Sequence, residues 1–252
     1  MMEAIAPTQP ARLAERALRL AAIDPRGQRL GLGLGAASRR DREIVRWVGR
    51  LGAATVEQVR ERFDLGRTVA YRRVAACIEG GLLDRVYLLH GEPALLRATP
   101  RGLRYADLAL PVARLSPELA GHWLACGWAA VRLPEGEDAE LLSEREIRAA
   151  ERLEGRALAS ASVGQRPDGS PQLHRPDLVL LGSGEVVAIE VELTPKAPVR
   201  LEGIVRAWGR ARCVDLVRYY AAPGTTMRGL ERAVERAHAR ERVELRPLEE
   251  IL

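Results

Sequence analysis

The run Glu185-Val-Val-Ala-Ile-Glu-Val-Glu-Leu-Thr194 constrains the fold of this chain more than any other stretch. It is rich in β-branched residues and free of glycine and proline, so it reads as a strand. Side chains alternate across a strand, which puts Ile189, Val191 and Leu193 on one face and Glu190, Glu192 and Thr194 on the other. Val186, Val187 and Ala188 leave no polar face at its start, so the strand is expected in the centre of a largely buried sheet. Two carboxylates side by side on such a strand repel each other and are costly to desolvate. A metal ion, a lysine or an arginine must offset that cost.

Candidates for the same point lie close by in sequence. Asp177, behind Arg175–Pro176, heads a neighbouring strand-like run, Asp177–Leu181, which Gly182–Ser183–Gly184 joins to the first. Lys196 follows the paired glutamates and is the single lysine among 39 basic residues, the rest being arginine. Upstream, Ser143-x-x-Glu146 reads as a capping box opening a helix with Ile147, Ala150 and Leu153 on one face. That box occupies Glu146 and leaves Glu144 without a duty beyond the helix dipole. An oxygen-rich set of this kind suits Mg²⁺ or Mn²⁺, and the chemistry that fits is phosphodiester hydrolysis. Asp177 and Glu190 are the expected metal ligands, with Glu144 as a third acid, while Glu192 and Lys196 orient water or neutralise developing charge.

The first half has a different pattern. Ile44, Trp47, Val48 and Leu51 mark one face of a helix from Arg39 to Leu51. Thr55-x-x-Gln58 is a second capping box, opening a helix with Val56, Val59 and Phe63 inward. After Gly66 a third helix is expected over 67–79, buried along Ala70, Val74, Cys77 and Ile78. Two strand-like runs follow, Arg85–Leu89 and Ala94–Ala98, joined by His90–Gly91–Glu92–Pro93 as a hairpin tip. Thr99–Pro100 then starts another helix. Three helices and a hairpin make a winged helix-turn-helix. Residues 39–110 hold 14 arginines against 9 acids, whereas residues 111–252 hold 20 basic residues against 22 acids. The basic excess therefore sits in the helical half, and double-stranded DNA is the expected partner. The third helix would meet DNA through Arg67, Thr68, Tyr71, Arg72 and Arg73, with the hairpin on the backbone. Winged helices also serve as protein-docking or dimerisation modules, and a homodimer stays open.

Residues 1–38 contain Pro7, Pro10, Pro25 and a Gly31-Leu-Gly-Leu-Gly35 stretch, with neither a preceding strand nor a P-loop lysine. They read as a disordered tail with at most one short helix around Arg12–Leu20. Residues 111–140 read as a helix from Ser116 to about Leu133, carrying His122, Trp123 and Trp128, followed by an acidic linker. No apolar run approaches the roughly 20 residues of a membrane span. Cys77, Cys126 and Cys213 have no metal-ligand spacing, read as small core residues and fit a reducing cytoplasm. His174 is either a turn residue or a phosphate contact.

The motif Arg175-Pro-Asp177, then Ile189-Glu-Val-Glu-Leu-Thr194 with Lys196 behind it, resembles the active-site signature of the PD-(D/E)XK nuclease superfamily. With the winged helix before it, residues 39–221 resemble the replication-relaxation family of plasmid and mobile-element proteins. The resemblance implies a two-domain α/β (α+β) chain. A winged helix-turn-helix at 39–110 would precede a restriction-endonuclease-like α/β domain at 141–252, with a central mixed sheet. In that domain a helix carrying Glu144, strands at 157–163, 177–181 and 185–194, a helix at 200–211, a strand at 215–221, a helix near 225–240 and a strand at 243–246 are expected. The superfamily pattern puts lysine two residues after the central acid. Here that residue is Glu192, and Lys196 lies four further on, beyond Pro195. The implied alternatives are a metal-dependent endodeoxyribonuclease acting in replication, relaxation or transfer of a mobile element, and a non-catalytic winged-helix regulator or replication accessory factor with a degenerate nuclease fold.

Overall fold

The structure, a computed structural model, describes residues 39–133, 139–182 and 184–252, together with Leu13. The expected disordered tail, the glycine-rich stretch and most of the acidic linker lie outside the described residues. The chain is mixed α/β, with eight α-helices and a five-stranded mixed sheet among the described residues. It divides into two compact units between Arg132 and Leu133. Among the described residues no helix is long and apolar enough to cross a membrane.

The first unit begins with α1 (Arg39–Leu51), α2 (Val56–Arg62) and α3 (Arg67–Glu79). Their buried residues follow the helical period: Ile44, Trp47 and Val48, then Val56 and Val59, then Ala70, Val74 and Cys77. Both arms of the Thr55 capping box form, Gln58 N–H donating to Thr55 Oγ1 at 3.1 Å and Thr55 N–H to Gln58 Oε1 at 2.9 Å. Strands β1 (Leu83–Val86) and β2 (Leu95–Ala98) pair antiparallel, and Ala54 adds a single bridge to Leu96 on the outer side of β2. The strands are shorter than their apolar runs, because the exposed Tyr87 and Leu89 belong to the connecting loop. Thr99 caps α4 (Pro100–Tyr105) through Gly102 N–H at 3.0 Å, and a 3-10 turn at Pro117–Leu119 leads into α5 (Ala120–Arg132). Gln58, fully buried, donates Nε2–H to Leu124 O of α5 at 2.7 Å, so one side chain serves the α2 cap and the α5 backbone.

The second unit runs β3 (Ala139–Ser143), α6 (Glu144–Glu154), β4 (Ala161–Gln165), β5 (Pro171–His174), β6 (Leu178–Gly182) and β7 (Glu185–Glu192). It continues with α7 (Pro198–Arg210), β8 (Leu216–Ala221), α8 (Thr225–Arg236) and β9 (Val243–Pro247). The sheet order is β3-β6-β7-β8-β9, antiparallel on the β3 side of β7 and parallel from β7 to β9. The parallel pairs need crossovers, which α7 and α8 supply. β7 is buried over seven of its eight residues, as its sequence demands of a central strand. The run at 157–163 does not join this sheet. Its ordered part, β4, pairs with β5 as a separate hairpin, and Ser162–Gln165 are exposed. The place beside β6 goes instead to β3, whose Leu141 and Leu142 are buried.

Candidate functional site

The second unit places its carboxylates along one row of the sheet. Leu178 pairs with Ile189 in the β6–β7 register, so Asp177, one residue before β6, falls opposite Glu190. Glu190 in turn pairs with Tyr219 on β8. One step further along β7, Val191 would face Pro176, which has no N–H to offer the ladder. There the Asp177 carboxylate turns in, and its Oδ2 accepts the Val191 N–H at 2.7 Å.

Glu190 is 5% exposed, and two donors meet at its Oε1: His174 Nε2 at 2.7 Å and the Trp208 indole N–H of α7 at 3.0 Å. The His174 and Trp208 rings stand edge to face, with centroids 5.8 Å apart. Burial pushes the Glu190 carboxyl above the usual carboxylate range. Burial pulls His174 the other way, but Glu190 and Asp177 outweigh it and hold the imidazole above its ordinary value. Glu192, also 5% exposed, is ion-paired with Lys196, which lies beyond the end of β7 and turns back to it. The Lys196 charge is felt by both His174 and Glu190. Tyr219 is fully buried, and among the described residues its hydroxyl makes no hydrogen bond of proper geometry, although the Trp208 side chain lies close enough to act on it. Burial, with Glu190, Glu192 and Asp177 nearby, raises it well above the usual phenol value.

Four of the five residues expected to form the site are thus gathered: Asp177, Glu190, Glu192 and Lys196. Glu144 approaches only through its backbone, donating N–H to Asp177 O at 2.9 Å, while its carboxylate pairs with Arg148 one helical turn on. His174, Trp208 and Tyr219 complete the cluster; the sequence offered His174 as a turn residue or a phosphate contact and did not point to either aromatic. For His174 the adjacency to Arg175–Pro176–Asp177 was a usable signal. For the two aromatics there was none, because they join through tertiary packing.

Carboxylate oxygens are the donors a hard divalent cation takes, but among the described residues Asp177, Glu190 and Glu192 do not bring three ligand atoms within 4.8 Å of one another. Three carboxylates share one electrostatic environment, Glu190 Oε2 and Glu192 Oε1 accept no hydrogen bond from described residues, and an unsatisfied phenol lies beside them.

In the first unit the exposed side of α3 carries Arg67, Thr68, Tyr71 and Arg72. The Arg67 guanidinium lies 5.9 Å from the Tyr71 ring centroid, and Tyr71 Oη donates to Glu57 at 3.3 Å. Arg73 does not share that face, since it turns to α1 and pairs with Asp41 at 2.8 Å. Burial pushes the Cys77 thiol up to about 12, as a core cysteine requires. No family model, curated protein or solved structure matches the chain.

Proposed function

We propose that this chain binds double-stranded DNA through its first unit and hydrolyses phosphodiester bonds with a nuclease-like second unit that uses Mg²⁺ or Mn²⁺. The observation that carries the reading is the gathering of Asp177, Glu190, Glu192 and Lys196 at the ends of two adjacent strands of a mixed sheet. Asp177 and Glu190 hold the strand positions of the paired acids in the PD-(D/E)XK nucleases that the chain resembles in sequence, while Glu192 stands where those have lysine and Lys196 follows beyond the strand. A divalent ion held by Asp177 and Glu190 would neutralise the scissile phosphate and acidify a bound water. The protein's own groups do the rest. His174 and Trp208 fix the Glu190 carboxylate by occupying Oε1, which leaves Oε2 for a ligand. Lys196, the compact cation at the rim, takes the place of the displaced superfamily lysine. It neutralises Glu192 and can orient water or balance charge on the phosphate.

The order α1, Ala54 bridge, α2, α3, β1, β2 supports a winged helix, with α3 as the reading helix. Exposed Arg67, Thr68, Tyr71 and Arg72 supply phosphate and base contacts.

A second reading, a non-catalytic DNA-binding regulator or replication accessory factor, is favoured by one observation. His174, Trp208 and Lys196 already satisfy the two buried glutamates without a metal. A nicking and cleavage assay on supercoiled plasmid with Mg²⁺ or Mn²⁺ separates the readings. Asp177→Asn, which keeps the shape of the side chain, is expected to lose about 100-fold or more of the activity while DNA affinity stays unchanged. Absence of metal-dependent cleavage, or equal cleavage by the variant, removes the enzymatic reading. Salt-sensitive binding that Arg67→Ala/Arg72→Ala abolishes would leave the regulator standing.

A further inference from the structure

Five arginines of the second unit line one concavity of about 400 Å³ that opens to solvent. Arg148 and Arg152 come from α6, Arg156 from just beyond it, Arg166 from the β4–β5 turn and Arg175 from the end of β5. The local sequence explains the convergence. Arg148 and Arg152 are four residues apart and share a helix face. Gly155, at φ 66°, ends α6 in the left-handed region and turns the chain so that Arg156 follows onto the same side. Asp168 holds the hairpin turn by accepting Ser170 N–H at 2.9 Å and its hydroxyl at 2.6 Å, and Arg166 N–H donates to Ser170 O at 2.8 Å. At the end of β5 successive side chains diverge, His174 meeting Glu190 and Arg175 lining the concavity.

The acid balance of this concavity is short. Glu151 is the one acid in its lining. It is 4% exposed, takes Arg175 Nε at 2.9 Å and accepts the backbone N–H groups of Leu158 and Ala159 at 3.0 and 3.4 Å. Arg148 is balanced by Glu144, and Arg156 by Glu154 at 3.5 Å. No ion pair joins Arg152 or Arg166 to an acid among the described residues, and both are exposed. The negative end of the α6 dipole supplies only roughly half an elementary charge, less than these two leave uncompensated.

The geometry points to a phosphate-binding pocket that holds two or more linked phosphate groups, from a nucleic-acid strand or from a free oligophosphate. Five guanidinium groups around one concavity match a dense, many-oxygened anion, and Arg152 and Arg166, which make no ion pair among the described residues, can each offer a fork of N–H donors. The volume exceeds what one phosphate fills, and the open side lets a chain of phosphates pass. The pocket is independent of cleavage at the carboxylates and of DNA contact by α3.

The test uses the full chain, with Arg152→Ala/Arg166→Ala as the variant because both side chains are exposed and neither is ion-paired among the described residues, Asp168 acting on Arg166 only through space. Calorimetry with inorganic tripolyphosphate is expected to show binding that the double variant weakens about 10-fold or more and that Arg152→Lys/Arg166→Lys restores only in part. Fluorescence anisotropy with single- and double-stranded oligonucleotides is expected to show a log–log salt slope shallower by about 2 in the alanine variant. Tripolyphosphate dependence without the oligonucleotide effect assigns the pocket to a free oligophosphate. Both effects together assign it to a nucleic-acid backbone as well. Arg67→Ala/Arg72→Ala should leave tripolyphosphate binding intact, which separates failure of the α3 reading from failure of this one. Unchanged binding of every phosphate ligand by the alanine variant overturns the proposal. So does binding of poly-glutamate as tightly as tripolyphosphate with the same arginine dependence.

Discussion

Removing the imidazole of His174 tests whether the acidic cluster is held together by its own cation. The side chain is 22% exposed and that of Glu190 6%, so His174→Ala leaves a buried carboxylate with the Trp208 N–H at 3.0 Å as its remaining donor. Breaking a buried pair by deleting one partner costs about 3–5 kcal/mol, and the surviving indole bond with the partial exposure of His174 puts the expected loss near about 3 kcal/mol. At roughly 2–4 °C per kcal/mol this lowers the melting temperature by about 6–12 °C. With Glu190→Gln as background the amide needs no cation, so the same histidine deletion should cost only about 1 kcal/mol. The coupling energy between the two positions is then about 2 kcal/mol, to be measured by urea denaturation of the four proteins of the cycle. Its pH dependence follows from the two shifts, which share a sign. His174 is held above its ordinary 6.5 and Glu190 above its ordinary 4.5, so the folded pair binds a proton more tightly than the unfolded chain does. The His174 contribution is therefore fully present below its ordinary 6.5 and is lost as pH rises through its folded-state value, while the burial cost of ionised Glu190 appears as pH rises above 4.5. An equal cost in both backgrounds refutes the pairing.

Two more outcomes are expected from stability measurements. Tyr219→Phe removes a buried hydroxyl that has no hydrogen-bond partner of proper geometry, so denaturation should show no loss and a gain of up to about 1 kcal/mol; a loss beyond that would mean the hydroxyl is bonded. Gly102→Ala would put a methyl 1.9 Å from the Leu82 carbonyl oxygen, a backbone atom that cannot swing away, so the first unit should lose about 3 kcal/mol or more. Unchanged thermal unfolding of that variant would contradict the close approach of α4 to the chain before β1.

The parts of this fold legible in the sequence are those set by local chemistry. The capping boxes at Thr55 and Ser143, the Thr99–Pro100 helix start and the buried face of α1 each follow from a few adjacent residues. β7 was legible because its apolar run is long and unbroken. β3 was not, since only Leu141 and Leu142 mark it and an acidic stretch leads in. β5 was hidden by Pro171 and Gln172, residues that favour a loop. Missing that hairpin also hid the role of His174, whose contact with Glu190 depends on where β5 ends. The displacement of Glu144 and Arg73 from their expected positions came from competing partners. Arg148 lies one turn after Glu144, a pairing visible in the sequence, whereas Asp41 meets Arg73 only once α1 and α3 pack.

The same logic accounts for why the carboxylate row can exist at all. A central strand with two buried glutamates is unfavourable unless each has its own counter-group, and the fold provides them from both chain directions. His174 arrives from the strand before, Trp208 from the helix after, and Lys196 from the turn between β7 and α7. Glu192 stands where the superfamily pattern has lysine, and the ammonium of Lys196 returns to it from four residues further on. The charge composition of the constellation is therefore altered by one additional carboxylate, while its cation is kept. Three acids, Asp177, Glu190 and Glu192, meet two basic side chains there, His174 and Lys196. The excess of one acid is what a divalent ligand would offset in the proposed catalytic reading.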